Sequence, residues 1–593
     1  MSRGEPGCSP LGVCALPDPP RNAPRTVGYP EYVHEILTHA GICYSSAAAE
    51  DLPNLLPDLR ILLTVGEATL ADDVGASLRT WVQGGGAWLS VAGVCGAADM
   101  FGVEVEAPSC WSWGGGLGTL GEGFMDRKAA SHPLLSHLSI PLHYFNGVPV
   151  RAAGGTVLAG TLDAHGRPSA RAAVVEAAVG KGRCLLIAPD VTGAVVRIQQ
   201  GTAVTRDGVP DCDGTAPNCD GVLKSGDGAA LDWLLDRQPV PGVTGFSAFL
   251  QPIADQWRET LLRGLFYLAE RHDVALPVLW LYPRNLPALA HMSHDTDGNE
   301  PSPAIRLLAV LDTAGVTSTW CVMTPGYPRE AIGAIRRAGH ELAMHYDAMS
   351  DGNAWSKKDF DDQWQRLTSL FDGERPITNR NHYLRWERDT EFFAWCAERG
   401  IQVDESKGAS KTGEAGFNFG TCHPYLPVDP EGRIIDVLEL PTPTQDLVVF
   451  APEELVDPLL TAALRHHGVL HLLFHPAHIE KPGVADALLT AVAKAKQQGL
   501  EWWTARQISA WERARRELRW SNYTATQAAV SVRVRASDAL PGASIMWLAG
   551  PHTRVGVRGR ACEAVMVERW GFPFRSVTFD IEQETEYTLE VVR

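Results

Sequence analysis

Short apolar runs alternate with amphipathic stretches through most of the chain, and the texture changes twice. From about residue 26 to 275 the runs LRILLTVGE (59–67), AWLSVAGVCG (87–96) and GRCLLIAPD (182–190) accompany helical stretches such as LADDVGASLRTWVQGGG (70–86). Strand, helix and strand in that order predict a parallel sheet with crossover helices. A second alternating series fills 276–520, with strands expected at ALAHMSHD (288–295), VTSTWCVM (316–323), HELAMHYD (340–347), IQVDES (401–406) and GVLHLLFHP (468–476). Repeated strand-helix units over that length predict a distorted (β/α) barrel. From 521 to 593, AVSVRVRAS, SIMWLAG, AVMVERW, SVTFDIE and YTLEVVR alternate with turn residues, the pattern of a small antiparallel β-sandwich. The chain is thus read as α/β and multidomain, preceded by an extended or disordered tail over residues 1–25, where Pro and Gly are frequent.

Composition narrows the partners. The 593 residues carry 52 Lys and Arg against 70 Asp and Glu, a net charge of −18. A phosphate backbone is held by clustered cations, so nucleic acid is excluded as a partner, and anionic membrane surfaces are disfavoured for the same reason. No run reaches the ~18 apolar residues of a membrane span. The N-terminal MSRGEPGCSPLGVCALPDPP has Pro and Gly where a signal peptide needs an apolar helix, so a soluble, cytoplasmic protein is expected. The 12 cysteines are scattered, as reduced thiols would be, with Cys212 and Cys219 the pair most open to another reading. Loop 207–227 carries Asp207, Asp211, Asp213, Asp220 and Asp227, enough oxygen ligands for Ca²⁺, although the spacing departs from an EF-hand.

Candidate chemistry concentrates at the strand ends of the second series, where a β/α barrel places its active site. SHDTDG ends a strand with Asp295 and Asp297; two carboxylates two apart can divide the labour of metal ligand and general base. GHELAMHYDAM supplies His345 and Asp347, both metal-binding types, and NRNHYLRW supplies Arg380, His382, Arg385 and Trp386. VDESKG adds Asp404, and HLLFHPAH adds His475 and His478.

The order of SHDTDG, STWCV, GHELAMH, the Arg-led RNHY segment and LLFHP resembles the polysaccharide deacetylase family, carbohydrate esterase family 4, over about 240 residues. The resemblance implies Asp295 as general base, Asp297 and His345 as metal ligands, Arg380 as the group orienting the base and His475 as general acid, with Asp404 beside it. The family's second metal histidine falls on Met349, a poor ligand for such a cation. His382, Asp347 and His478 are the available replacements, and the RNHY segment favours His382. Zn²⁺ is the expected metal, and an N-acetylated sugar, oligosaccharide or polysaccharide the expected substrate. Arg385, Trp386, Tyr346 and His478 are candidate substrate contacts, with Trp355 a further stacking surface. Two alternatives stand beside this reading: a degenerate carbohydrate-binding or scaffold protein, and a deacylase of a small acylated metabolite.

The first series resembles the class I glutamine amidotransferase-like, flavodoxin-like fold, whose GxCxG elbow falls on GVCGAA with Cys95 at the nucleophile position. No downstream HxE supplies a base, and an unactivated thiol is weakly nucleophilic. The resemblance therefore assigns this domain a structural or homo-oligomerising role.

Overall fold

The structure is a computed structural model describing residues 9–16, 28–106, 119–208, 221–350, 352–411, 413–526, 528–548 and 554–592. Most of the N-terminal tail, Cys212, Cys219 and the middle of loop 207–227 lie outside the described residues. The chain divides into two compact units, one formed by 1–195, 256–285 and 513–593, the other by 196–255 and 286–512.

In the first unit, strands Ser45–Ser46, Leu11–Ala15, Ile61–Val65, Ala87–Val91 and Gly182–Ile187 are parallel neighbours in that order. Beyond Gly182–Ile187 the sheet turns antiparallel through Pro168–Val179, Thr156–Asp163, Gly123–Arg127 and Leu142–Tyr144. The parallel sheet expected from the sequence is therefore one half of a mixed sheet. Its parallel strands are buried on both faces, which is why they read as unbroken apolar runs. Helix Asp72–Gln83 buries Val74, Leu78 and Val82, spaced four apart on one face, against a core containing Leu62, Trp88, Phe101 and Leu186. Each fully buried Leu or Val contributes about 1.5–3 kcal/mol. The same unit contains two antiparallel sheets, built from the chain's last segment and strand Val278–Leu279. Strands Arg519–Ala525, Ala529–Arg535, Glu586–Val592, Arg554–Val557 and Arg560–Cys562 form one. Val278–Leu279, Leu540–Leu548, Phe572–Ile581 and Val565–Arg569 form the other. In Ala529–Arg535 the residues Val530, Val532 and Val534 are buried while Arg533 and Arg535 are exposed, the alternation of a half-buried strand.

The second unit is built on a parallel sheet curled into half a barrel. Its order is Leu438–Glu439, Val403–Asp404, Thr378–Asn381, Glu341–Tyr346, Thr319–Met323, Leu289–Asp295 and Val469–Leu473, with Glu501–Trp502 also beside Leu289–Asp295. The helices Pro301–Ala314, Arg329–Arg337, Lys357–Leu370, Glu391–Arg399, Val456–His466 and Val484–Gln497 connect them. Pro301–Ala314 buries Ala304, Leu307 and Leu311 and is stopped by Gly315, whose φ of 61° suits a residue without Cβ. Strand Thr378–Asn381 was not marked by the sequence pattern, because TNRN is polar. All four residues are nonetheless buried, and their side chains are hydrogen-bonded within the unit.

The units cut across the division read from the sequence at 275 and 520. Residues 196–255 cluster with the half-barrel, bridging Val204 to Arg388, Lys224 to Arg385 and Phe249 to Gly416. Gln200 holds Val428 through a pair of bonds, Nε2 donating to the carbonyl (3.0 Å) and Oε1 accepting from the amide (2.8 Å). The Ca²⁺ expectation for loop 207–227 meets a different arrangement at its described ends. Lys411 Nζ sits 2.5 Å from Asp227 Oδ1 and 3.2 Å from Asp207 Oδ1, so one ammonium bridges these two carboxylates. No helix among the described residues is long and apolar enough to cross a membrane.

Candidate metal and acid–base centre

The side chains at the C-terminal ends of the parallel strands converge. Asp295 closes strand Leu289–Asp295, and the chain then turns sharply. Thr296 Oγ1 accepts from Met323 N (3.1 Å) and donates to Asn299 Oδ1 (2.8 Å), while Asn299 Nδ2 donates to Met323 O (3.0 Å). Asp297 in this turn has a φ of 30°, a conformation side chains rarely adopt. Its Oδ1 comes within 3.3 Å of His345 Nε2.

His345, the last but one residue of strand Glu341–Tyr346 two places along the sheet, is fully buried. Its Nδ1 donates to the Arg380 carbonyl (3.0 Å), which turns Nε2 towards Asp297. His382 repeats the design: Nδ1 bonds Asp347 Oδ1 (3.1 Å), and Nε2 lies 3.9 Å from Asp297 Oδ1. One ligand atom from each of Asp297, His345 and His382 lies within 4.8 Å of the others. Asp297 Oδ1 and His345 Nε2 are buried and make no hydrogen bond. At 3.3 Å the two atoms pair when the ring carries a proton on Nε2, and a divalent cation that takes that proton's place would bind between them. A carboxylate and two imidazoles, each held by a further acceptor, fit a divalent transition metal. Burial pushes the Asp297 carboxyl up, but His345, His475 and His382 outweigh it and hold it at about 2. Burial pushes His345 down, and the Asp295 and Asp297 carboxylates raise it overall.

His382 is the third member of this group. Met349 donates its amide to Asp347 (2.9 Å), and its sulfur lies 3.9 Å from Arg385 Nη1. Asp347, the second replacement considered, accepts from Met349 N, Ser350 N, Ser350 Oγ, Asn353 Nδ2 and His382 Nδ1. Despite burial these donors hold its carboxyl well below the usual range, and it positions His382.

Asp295 receives Arg380 Nη1 at 2.9 Å. Arg380 is fully buried and also donates to Glu405 Oε2 (2.7 Å) and Ser293 Oγ (2.6 Å), which fix the guanidinium from below. Glu405 in turn meets His291 Nε2 at 2.8 Å, and His471 Nε2 meets Ser293 Oγ at 2.8 Å, so the whole support is hydrogen-bonded.

His475 lies across from Asp295, Nε2 being 4.0 Å from Asp295 Oδ2 and 3.9 Å from Asp297 Oδ2. Its Nδ1 bonds Asp446 Oδ2, and its amide donates to Asp446 Oδ1 (2.7 Å). Burial alone would discharge the imidazole, yet Asp446, with Asp295 and Asp297, raises it to about 9.

Several expected contacts are corrected. The carboxylate beside His475 is Asp446, which no local sequence pattern marked. Asp404 is buried elsewhere, accepting from Asn379 Nδ2 (2.8 Å) and Ser406 Oγ (2.8 Å) and lying in register with Glu439. Burial raises both the Asp404 and Glu439 carboxyls, as expected where two acids meet inside a protein. Trp386 is fully buried, its Nε1 donating to Asp389 O (2.8 Å) and its face covered by Lys407 Nζ. Tyr346 is also buried, its hydroxyl donating to Ala354 O (2.8 Å) and its ring against Phe360 and Phe392. Trp355 joins the same aromatic cluster. These rings are core, and their stacking faces are taken. Arg385 bonds Ala348 O and Glu387 Oε1. His478 turns to Asp446. The exposed rings near the centre are Tyr383, 54% exposed and 4.5 Å from the His382 ring, and Phe450, 47% exposed and 6.4 Å from the His475 ring.

No family model matches the chain, and no curated protein does. Among solved structures, it is similar to a Mycobacterium smegmatis protein named as a polysaccharide deacetylase, at 20% identity and TM-score 0.32, over 39% of this chain and 92% of that one. Puue allantoinase matches at 16% identity and TM-score 0.31, over 39% and 91%. The Xyl-CE4 domain of a multidomain xylanase from the hindgut metagenome of Trinervitermes trinervoides matches at 14% identity and TM-score 0.25, over 37% and 89%.

Proposed function

We propose that this protein is a metal-dependent hydrolase that removes an acyl group, acetyl in the first instance, from an N-acylated sugar or oligosaccharide. The observation that carries the reading is the pair of buried, unbonded atoms Asp297 Oδ1 and His345 Nε2, with His382 Nε2 completing a three-ligand set. Zn²⁺ suits these donors, and a cation there supplies Lewis acidity to water and to the acyl oxygen. Asp295, held by Arg380, accepts the proton of the attacking water. His475, kept as imidazolium by Asp446, donates a proton to the departing nitrogen from the other side. Arg380 orients Asp295 through its hydrogen bond without touching substrate.

The burial of Trp386 and Tyr346 favours a second reading, in which the same residues act on a small acylated metabolite gripped by Tyr383 and Phe450. Metal content of protein purified without chelator, with Asp297→Ala alongside, tests the centre: one transition metal per chain that the substitution removes is expected. Metal that persists in Asp297→Ala overturns the assignment. Turnover of acetylated sugars, against p-nitrophenyl acetate alone, then separates the two substrate classes.

A further inference from the structure

Next to the acid–base pair lies a second group of ligand-bearing side chains. Asp446 Oδ2 touches two imidazoles, His475 Nδ1 and, at 3.1 Å, His478 Nδ1. The contact to His478 lies outside hydrogen-bonding geometry, and Nδ1 is a buried atom with no hydrogen-bond partner. His478 Nδ1 and Asp446 Oδ2 therefore face each other across a gap that no well-aligned hydrogen bond closes. The three atoms lie within 4.8 Å of one another. Ligands held at 2.0–2.2 Å around a tetrahedral Zn²⁺ are about 3.3 Å apart, so the His478 to Asp446 spacing already matches one edge of such a site. The side chain of His478 is 21% exposed, which opens the group to solvent, while Asp446 is fully buried and fixed by the His475 amide.

We propose that Asp446, His475 and His478 form a second, weaker divalent-cation site, taken by Zn²⁺, whose filling switches off the acid at His475. Binding replaces the proton on His475 Nδ1, which leaves to the buffer, one per cation. His475 then keeps only its Nε2 proton, on a ring that is a far weaker acid than imidazolium, so amide leaving groups are no longer assisted. The inhibitory consequence rests on the proposed role of His475; the binding site itself does not.

A Zn²⁺ titration of the full-length protein by equilibrium dialysis, read as bound metal per chain, tests this. Wild type is expected to take up two cations in separable steps. His478→Ala and His478→Gln are both expected to lose the weaker step alone, and His382→Ala to lose the tighter one. Saturation at a single cation that His478→Ala retains overturns the proposal, as does a second step unchanged in both His478 variants. A single step that vanishes in His478→Ala but survives in His382→Ala keeps this site and overturns the metal centre proposed above. In turnover assays on an amide, excess Zn²⁺ is expected to inhibit wild type, and inhibition of His478→Gln to need at least about tenfold more cation, a 1.4 kcal/mol difference. Equal sensitivity overturns the inhibitory role.

Discussion

The turn at Cys95 and the turn at Asp297 make an instructive pair. Each follows a buried parallel strand, each puts a non-glycine residue at positive φ, 52° and 30°, and each presents a side chain able to do chemistry. At Cys95 every partner works against reactivity. Glu67 accepts from Val94 N (2.7 Å) and from the amides of Cys95 and Gly96, filling the ring of backbone donors with a protein carboxylate. Burial, then the Glu67 charge, pushes the thiol well above its usual range, and the other groups acting on it, Thr64, Cys14 and the Ala68 backbone, include neither base nor cation. At Asp297 the partners are imidazoles, and the facing atoms Asp297 Oδ1 and His345 Nε2 are left without a well-aligned hydrogen bond. A strained strand-end turn does not make a site by itself. Convergence of donors that the fold leaves unsatisfied does, and it separates the two regions.

That contrast can be broken or sharpened by substitution. Asp295→Asn should cut turnover by about 10²–10⁴-fold while retaining the metal, the range for a lost general base; metal analysis beside steady-state kinetics decides whether both halves hold. Asp446→Asn should lower turnover of an amide by about 10²-fold or more and that of an activated ester much less, because only poor leaving groups need the acid. The same split in Asp404→Asn, measured on the two substrates, would contradict the assignment of Asp446.

Burial without convergence has its own signature at Glu414. Its carboxyl is pushed up to about 7, from an ordinary 4.5, by burial that the Ser410 and Lys411 amides only partly offset. The folded state therefore holds a proton that the unfolded chain releases, and stability falls as pH rises from about 4.5 through 7, by up to roughly 3 kcal/mol. Glu414→Gln should flatten that loss in urea unfolding followed across the same pH range. Asp347→Ala should weaken metal affinity by about 10–100-fold through His382, the usual effect of losing a partner behind a ligand, as competition with a chelator would measure. The smallest effect is expected at Cys95: Cys95→Ser should leave turnover and metal content unchanged, and thiol reagents should modify Cys95 in the native protein only slowly.

Much of this was legible in the chain. Alternation and apolar runs located Leu289–Asp295, Glu341–Tyr346 and Val469–Leu473, and a strand's end is where its last side chains leave the sheet. Those strand ends carry Asp295, His345 and His475, with Asp297 in the turn that follows. Strand Thr378–Asn381 is hidden from the pattern because its residues are polar, and most of the partners that offset their burial lie 25 to 87 positions away.

What the tertiary structure alone decided was partnership. Asp404 and Asp446 are both acids near strand ends in sequence, yet only Asp446 reaches His475, 29 residues on, because that depends on where the loop after Leu438–Glu439 folds back. Trp386 and Tyr346 looked like plates for a sugar and proved to be core, since sequence shows that a ring is present but not which neighbours cover it. Residues 196–255 joined the half-barrel through backbone bridges that no composition signals. Local pattern fixes which side chains a strand presents at its end. Which of them meet is set by crossovers and loops tens of residues long, whose closure is decided by packing rather than by neighbouring sequence.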